Sequence, residues 1–211
     1  MSDSSSQIQF NNLPEKPENT KAWQLRLQRW MGQLDQQLGP PNDIMLIPTE
    51  NELPDVVVVV YHNWQQPERT LSLTFGVSEC HEQANGQYLP ELALLVDSTS
   101  TKWSEYLGYL VVWMRTFEPF QVGSTFDMSA PFAFPSLMDG FVLDSLDDSL
   151  AKDFPKFKML TFKLKYLQAI PIYRLEQQLL MKAGLNKFKA FPGFEPYNVL
   201  RPNIAESITQ N

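Results

Sequence analysis

With 211 residues, 43% hydrophobic and 12% aromatic, the chain can bury a core without disulfides or a structural metal, and Cys80, its one cysteine, excludes an internal disulfide or a metal-gripping thiol pair. A formal net charge of −7 disfavours nucleic-acid backbones and favours basic partners, or simply keeps the protein in solution. The longest apolar run, Val56 to Tyr61, is far too short to span a bilayer, and the polar opening MSDSSSQIQF lacks a signal-peptide pattern, so a soluble, cytoplasmic protein is expected.

Residues 1–18 read as a polar N-terminal arm. Trp23, Leu27, Trp30, Met31, Leu34 and Leu38 then fall on one helical face, with Thr20 as a cap and Gly39-Pro40-Pro41 as a stop. Asp55 to Tyr61 is a β-branched run suited to a strand covered on both faces. Residues 70–77 alternate apolar and polar, the pattern of a half-buried strand forming a hairpin with the first. A third strand, Glu91 to Val96, follows the Asn85-Gly86 turn. Trp103, Tyr106, Leu107, Leu110, Val111, Met114 and Phe117 form the stripe of a second helix, with caps offered by Ser98 to Thr101 and a stop at Glu118-Pro119. Residues 120–157 read as a long loop with short strands. Alternation resumes as a strand over 158–170, with a solvated lysine face and an end or an edge kink at Pro171. A helix from near Tyr173 carries Leu175, Leu179 and Leu180 to Gly184, and a short helical piece holds Leu185 and Phe188. The tail from Pro192 is polar and proline-punctuated. The predicted organisation is one α+β domain over residues 19–191, a mostly antiparallel sheet with helices packed against it, between the arm and a C-terminal tail at 192–211.

Catalytic patterns are sparse. His62 and His81 are the only histidines, and Cys80 and His81 are neighbours in sequence, which cannot both point at one metal, so no metal site is expected. Cys80 with His62 across the hairpin is the only conceivable nucleophile–base pair, and a buried small thiol explains Cys80 more simply. Neither a Gly-x-Ser-x-Gly elbow nor a phosphate-binding glycine loop is present, and no cofactor is implied. Asp144, Asp147 and Asp148, near Asp139 and Asp153, form the densest acidic cluster; it reads either as a solvated loop or as an electrostatic handle for a basic partner. Lysines 152 to 189 are interleaved with aromatics, but Lys163 and Lys165 occupy the polar face of a strand, where solvation explains them.

Four stretches have a recognisable order. Gly76-Val77-Ser78-Glu79 follows a strand, Pro90-Glu91-Leu92 opens the next, the helix from Trp103 to Trp113 contains Leu107-Gly108-Tyr109, and the segment Tyr166 to Glu176, with Pro171, leads to Gly184-Leu185. In these the chain resembles the suppressor-of-fused (SUFU) domain family, in its bacterial form, over roughly residues 45–190. The Trp-rich first helix and Leu92-Ala93, where the family often has threonine, depart from the pattern. The resemblance implies an α+β domain without a known catalytic site, whose eukaryotic members bind and restrain a transcription factor and whose bacterial members are proposed immunity proteins that neutralise a toxin domain. It marks Gly76, Ser78, Glu79, Glu91, Pro171, Glu176 and Gly184 as structural motif residues. Glu176, in the first turn of its helix, is further expected to tie that helix to the neighbouring strand.

The expected function is therefore binding of another protein, without catalysis, with Asp144, Asp147 and Asp148 as the partner-facing acids and a basic toxin domain as the partner. A regulator of a transcription factor or small ligand, or a carboxylate-based hydrolase, are the competing readings.

Overall fold

A computed structural model describes residues 20–209 apart from 50–52, 81–87, 118, 130–134, 148–150, 152–153, 155 and 160. The polar arm, the Asn85-Gly86 turn, His81, Asp148 and Asp153 lie outside the described residues. In chain order the elements are α1 (Thr20–Leu38), β1 (Asp43–Ile47), β2 (Val56–His62), β3 (Arg69–Phe75), a 3-10 turn at Ser78–Cys80, β4 (Tyr88–Asp97), α2 (Lys102–Met114), β5 (Thr125–Asp127), β6 (Gly140–Ser145), β7 (Lys163–Ile172), α3 (Arg174–Ala183), α4 (Leu185–Lys189) and α5 (Ile204–Thr209). The strands form a seven-stranded sheet in the order β1-β2-β3-β4-β7-β6-β5. Every pairing is antiparallel except β4 with β7, which run parallel.

The valine run of β2 is buried throughout, as a strand covered on both faces requires. Val57, Val59 and Tyr61 join the α1 cluster on one face, while Val56 and Val58 join the α2 cluster on the other. On α1 the expected stripe is the packed one: Trp23, Leu27, Trp30 and Leu34 are buried. Trp30 stacks on Phe75 at 5.2 Å and donates its indole N–H to the Tyr166 hydroxyl at 2.9 Å. Tyr166 in turn donates to the Thr74 carbonyl at 3.1 Å, so the polar atoms of these two buried rings are both paired, whereas the buried Trp23 indole N–H has no partner among the described residues. A tryptophan buried to this degree is worth roughly 4–6 kcal/mol of apolar transfer.

Four expectations need correction. Strand β3 is buried on both faces, because α2 covers the hydroxyl side as well. Its polar residues are satisfied inside: Thr70 donates to the Ser98 carbonyl at 2.7 Å, and the Ser72 and Ser104 hydroxyls share a bond of 2.7 Å. Alternation there records small side chains that let a helix approach, as does Gly108 of α2, where a Cβ would sit 2.5 Å from Ile47 Cγ1. Helix α2 ends at Met114, and Phe117 stands 80% exposed; Arg115 is the buried residue at that end. At its start the Thr101 side chain makes no cap bond, and the Lys102 N–H is taken by Ser100 Oγ at 3.4 Å, within the expected Ser98 to Thr101 stretch. Strand β7 begins at Lys163: Lys158 bridges Lys163, with Met159 N–H on the Phe162 carbonyl at 2.9 Å and Leu164 N–H on the Phe157 carbonyl at 3.1 Å. Pro171 is not at a sheet edge. It pairs with Phe141 of β6, two residues past the last β4 partner at Ala169, where the ladder is one-sided.

Strand β1 and the parallel β4–β7 pairing were not expected. The tail expected from residue 192 lies against the domain, with Val199, Arg201 and Ile204 buried. Residues 120–157 do contain short strands, β5 and β6. Val142, Ile170 and Ile172 form a third cluster with Leu180 of α3 and Phe188 of α4.

Candidate functional site

The motif residues gather at two internal knots. At the end of β3, the fully buried Glu91 carboxylate accepts the N–H groups of Gly76 (2.8 Å), Val77 (3.3 Å) and Ser78 (3.0 Å), and the hydroxyls of Ser78 (2.7 Å) and Thr74 (2.7 Å). Burial pushes its pKa up to about 7, and the hydrogen bonds from Gly76, Thr74 and Ser78 hold it from rising further. A raised carboxyl often marks an active site. Glu91 is closed to solvent and occupied on both oxygens, so its geometry is that of a clasp on the β3 turn. Gly76 is required there because a Cβ would lie 2.9 Å from Val56 Cγ2. Arg115 closes the same knot from α2, donating to the Gly76 carbonyl at 3.2 Å and the Pro54 carbonyl at 2.7 Å. Glu79, at the rim, takes the Arg26 guanidinium of α1 through two bonds, one of 2.9 Å to Nε, and so fastens the N-terminal helix to the family-like turn.

The second knot holds α3. Glu176 and Arg201 are both fully buried, and the guanidinium meets the carboxylate bidentately at 2.5 and 2.7 Å. Glu176 also accepts the N–H of Tyr173 at 3.1 Å, across its own helix start, and of Ile204 at 2.9 Å. The expected tether to the strand exists only through Arg201, whose Nη2 reaches the Pro171 carbonyl at 3.4 Å; the main tie is to the C-terminal segment. Gly184 separates α3 from α4 with φ +80°, a left-handed value that glycine adopts without strain.

The acidic cluster is split by the fold. Asp144 belongs to β6, is 5% exposed and is ion-paired to Lys189 of α4. Asp147 accepts the Tyr197 hydroxyl. Both side chains thus have partners within the domain. His62 bonds Asp43 at 3.1 Å and Thr70 at 3.2 Å, at the hairpin end of β2. Cys80 lies past the opposite end, about 17 Å away by strand rise, so the two never meet. Burial pushes the Cys80 thiol up to about 11. Among the described residues no group of three or more His, Cys, Asp or Glu could hold a metal, and no helix is long and apolar enough to cross a membrane.

Among the described residues, a cleft of about 440 Å³ opens at the start of β7. Phe154, Phe157, Leu164 and Tyr166 form its floor. Lys156, Lys158, Lys163, Lys165 and Tyr88 stand around it, with the Lys163 ammonium 5.2 Å from the Tyr88 ring. Helix α1 holds the rim in place: Gln37 and Gln33 accept the N–H groups of Lys156 and Lys158, at 3.3 and 2.9 Å, and Arg29 donates to the Lys158 carbonyl at 3.1 Å. In the sequence these lysines read as a run interleaved with aromatics that solvation explained; their convergence on one cleft follows from the bridge between Lys158 and Lys163, which has no turn signature in the sequence.

No protein-family model matches the chain, and no curated protein sequence matches it. Solved structures do. A SUFU homologue from Neisseria gonorrhoeae FA 1090 aligns over 86% of this chain and 97% of its own, with a TM-score of 0.64 and 17% identity. A chain of the Sufu–Fu complex aligns over 93% and 96%, with a TM-score of 0.61 and 13% identity. Drosophila Suppressor of Fused aligns over 88% of this chain and 52% of its own, with a TM-score of 0.61 and 12% identity, so the chain spans about half of that protein. The chain therefore has a SUFU-like α+β fold.

Proposed function

We propose that this chain works by binding another protein, as an immunity-type domain that captures and neutralises a toxin domain. The observation that carries the reading is the use made of the buried acids. Glu91, Glu176 and Asp144 each direct their oxygens at groups of the fold itself, so the residues that would have suggested acid–base chemistry hold elements together instead. One of the structures sharing the fold is of a Sufu–Fu complex, which supports protein binding as its use here. The toxin reading draws on charge. Residues 1–148 carry 20 acids against 7 bases, a net −13, and such a surface steers basic proteins toward it.

The test is co-expression of the chain with a toxin domain encoded beside it, scored by growth and by co-purification. Rescue together with a stable complex supports the reading. Rescue without a complex, or a complex without rescue, contradicts the toxin-neutralising role. A variant with His62, Cys80 and His81 replaced together by alanine or serine should rescue as well as the wild type wherever it folds.

A further inference from the structure

We propose that the cleft at the start of β7 receives an acidic peptide segment of the protein partner, with one large apolar side chain seated on Phe154, Phe157 and Leu164 and flanking carboxylates met by the lysines. This rests on the protein-binding reading and names the chemistry at one place on the surface. The net −7 of the whole chain would suggest the opposite sign. It is the sum of −13 over residues 1–148 and +6 over residues 149–211, where 10 bases face 4 acids, and the cleft is built mainly from the second part.

Three observations point to this occupant. First, the lysines are not neutralised: among the described residues Lys156, Lys158, Lys163 and Lys165 have no ion-pair partner, whereas Lys189 and Lys102 do. Lys156, Lys158 and Lys165 are exposed. Like charges brought together in this way repel one another, and an anionic guest removes that cost. Second, the floor recognises nothing polar. The Tyr166 hydroxyl accepts from Trp30 and donates to the Thr74 carbonyl, so it has no donor left for a guest. A compact metabolite needs directed polar contacts within its pocket; a floor of rings and a leucine asks only for an apolar anchor. Third, the rim is fixed while its charges are not. The backbone at 156–158 is pinned by Gln33, Gln37 and Arg29, but ammonium groups on flexible stems read charge rather than shape. That combination suits a chain carrying several carboxylates around one anchor. A nucleic acid would extend past the cleft onto a surface whose acids repel phosphate.

The experiment is fluorescence anisotropy of the full chain with a labelled peptide of sequence EEDFLDEE. Its comparators are KKRFLRKK, EEDSSDEE, a thymidine oligonucleotide and laurate as a competitor. EEDFLDEE should bind saturably and lose affinity with salt. It should bind about ten-fold more tightly than EEDSSDEE. The K163E/K165E variant, and the milder K163Q/K165Q, should weaken it by about ten-fold or more with melting temperatures unchanged. No binding of EEDFLDEE overturns the proposal, as does equal binding of KKRFLRKK or EEDSSDEE. Tighter binding of the oligonucleotide, or displacement by laurate at lower concentration than by unlabelled peptide, overturns the ligand class. A K163E/K165E chain that still captures its partner at full affinity refutes the cleft and leaves the protein-binding reading intact. A wild-type chain that captures no partner refutes that reading instead.

Discussion

Replacing Glu176 by glutamine removes one charge from a pair that has no solvent to turn to. Arg201 would keep its guanidinium fully buried, with Nη1 and Nη2 facing an amide, while the N–H groups of Tyr173 and Ile204 would compete for the one remaining carbonyl oxygen. Breaking a buried ion pair from one side costs about 3–5 kcal/mol, because the surviving charge is uncompensated. For a domain of this size each kcal/mol moves the melting temperature by about 2–4 °C, so the expected drop is roughly 6–20 °C. The double variant Glu176→Leu with Arg201→Met leaves no buried charge and should lie much closer to the wild type than Glu176→Gln does. Thermal unfolding followed by circular dichroism measures both. Limited proteolysis adds the location: the C-terminal segment that carries Arg201 and Ile204 should become the first site of cleavage in the single variant. A Glu176→Gln protein within about 1 kcal/mol of the wild type, or a double variant as unstable as the sum of the singles, would refute the reasoning. Since Glu176 is closed to solvent, its loss should act on partner binding only through stability.

Glu91 is held near pH 7 in the folded chain and near 4.5 when exposed, so between those values the folded state keeps a proton that the unfolded state releases. Stability should therefore fall as pH rises from 4.5 to 7, by about 3 kcal/mol for this group; urea midpoints from pH 5 to 8 should decline in the wild type relative to Glu91→Gln, and parallel profiles would contradict it. Gly108→Ala puts a Cβ 2.5 Å from Ile47 Cγ1 and 3.0 Å from Val58 Cγ2, and should cost about 1–3 kcal/mol in chemical denaturation, an outcome that an unchanged midpoint excludes. Because its thiol is pushed up to about 11, Cys80 should react with a chromogenic disulfide at pH 7.5 far more slowly in the folded chain than in urea; equal rates would count against its half-buried placement.

The sequence made legible whatever depends on one element at a time. The stripe of Trp23, Leu27, Trp30 and Leu34 names its own buried face, and the valines of β2 name a strand covered twice. What it concealed depends on what lies opposite. The hydroxyls of Thr70 and Ser72 look like solvent-facing positions until the loop after β4 brings the Ser98 carbonyl, and α2 brings Ser104, over them. Arg201 stands in a polar, proline-punctuated stretch, and only the closing of residues 192–209 onto α3 gives it Glu176 as a partner. Asp144 looked like part of an acidic loop because its neighbours in sequence are acidic; its neighbours in space are β7 and Lys189. The motif glycine, serine and acids at 76–79 and 91 are visible in the sequence, while the reason they occur together, one carboxylate collecting five donors, lies in the fold.

The central claim is that this domain acts by holding another protein. The most direct measurement is capture on the immobilised full chain from native lysate at 0.15 M salt, a near-physiological ionic strength, followed by calorimetric titration of the purified chain with the captured protein. A saturable complex of defined stoichiometry, with sub-micromolar affinity that survives replacement of His62, Cys80 and His81, is the expected result. Absence of any partner that titrates, together with turnover of a substrate by the purified chain, would contradict the account.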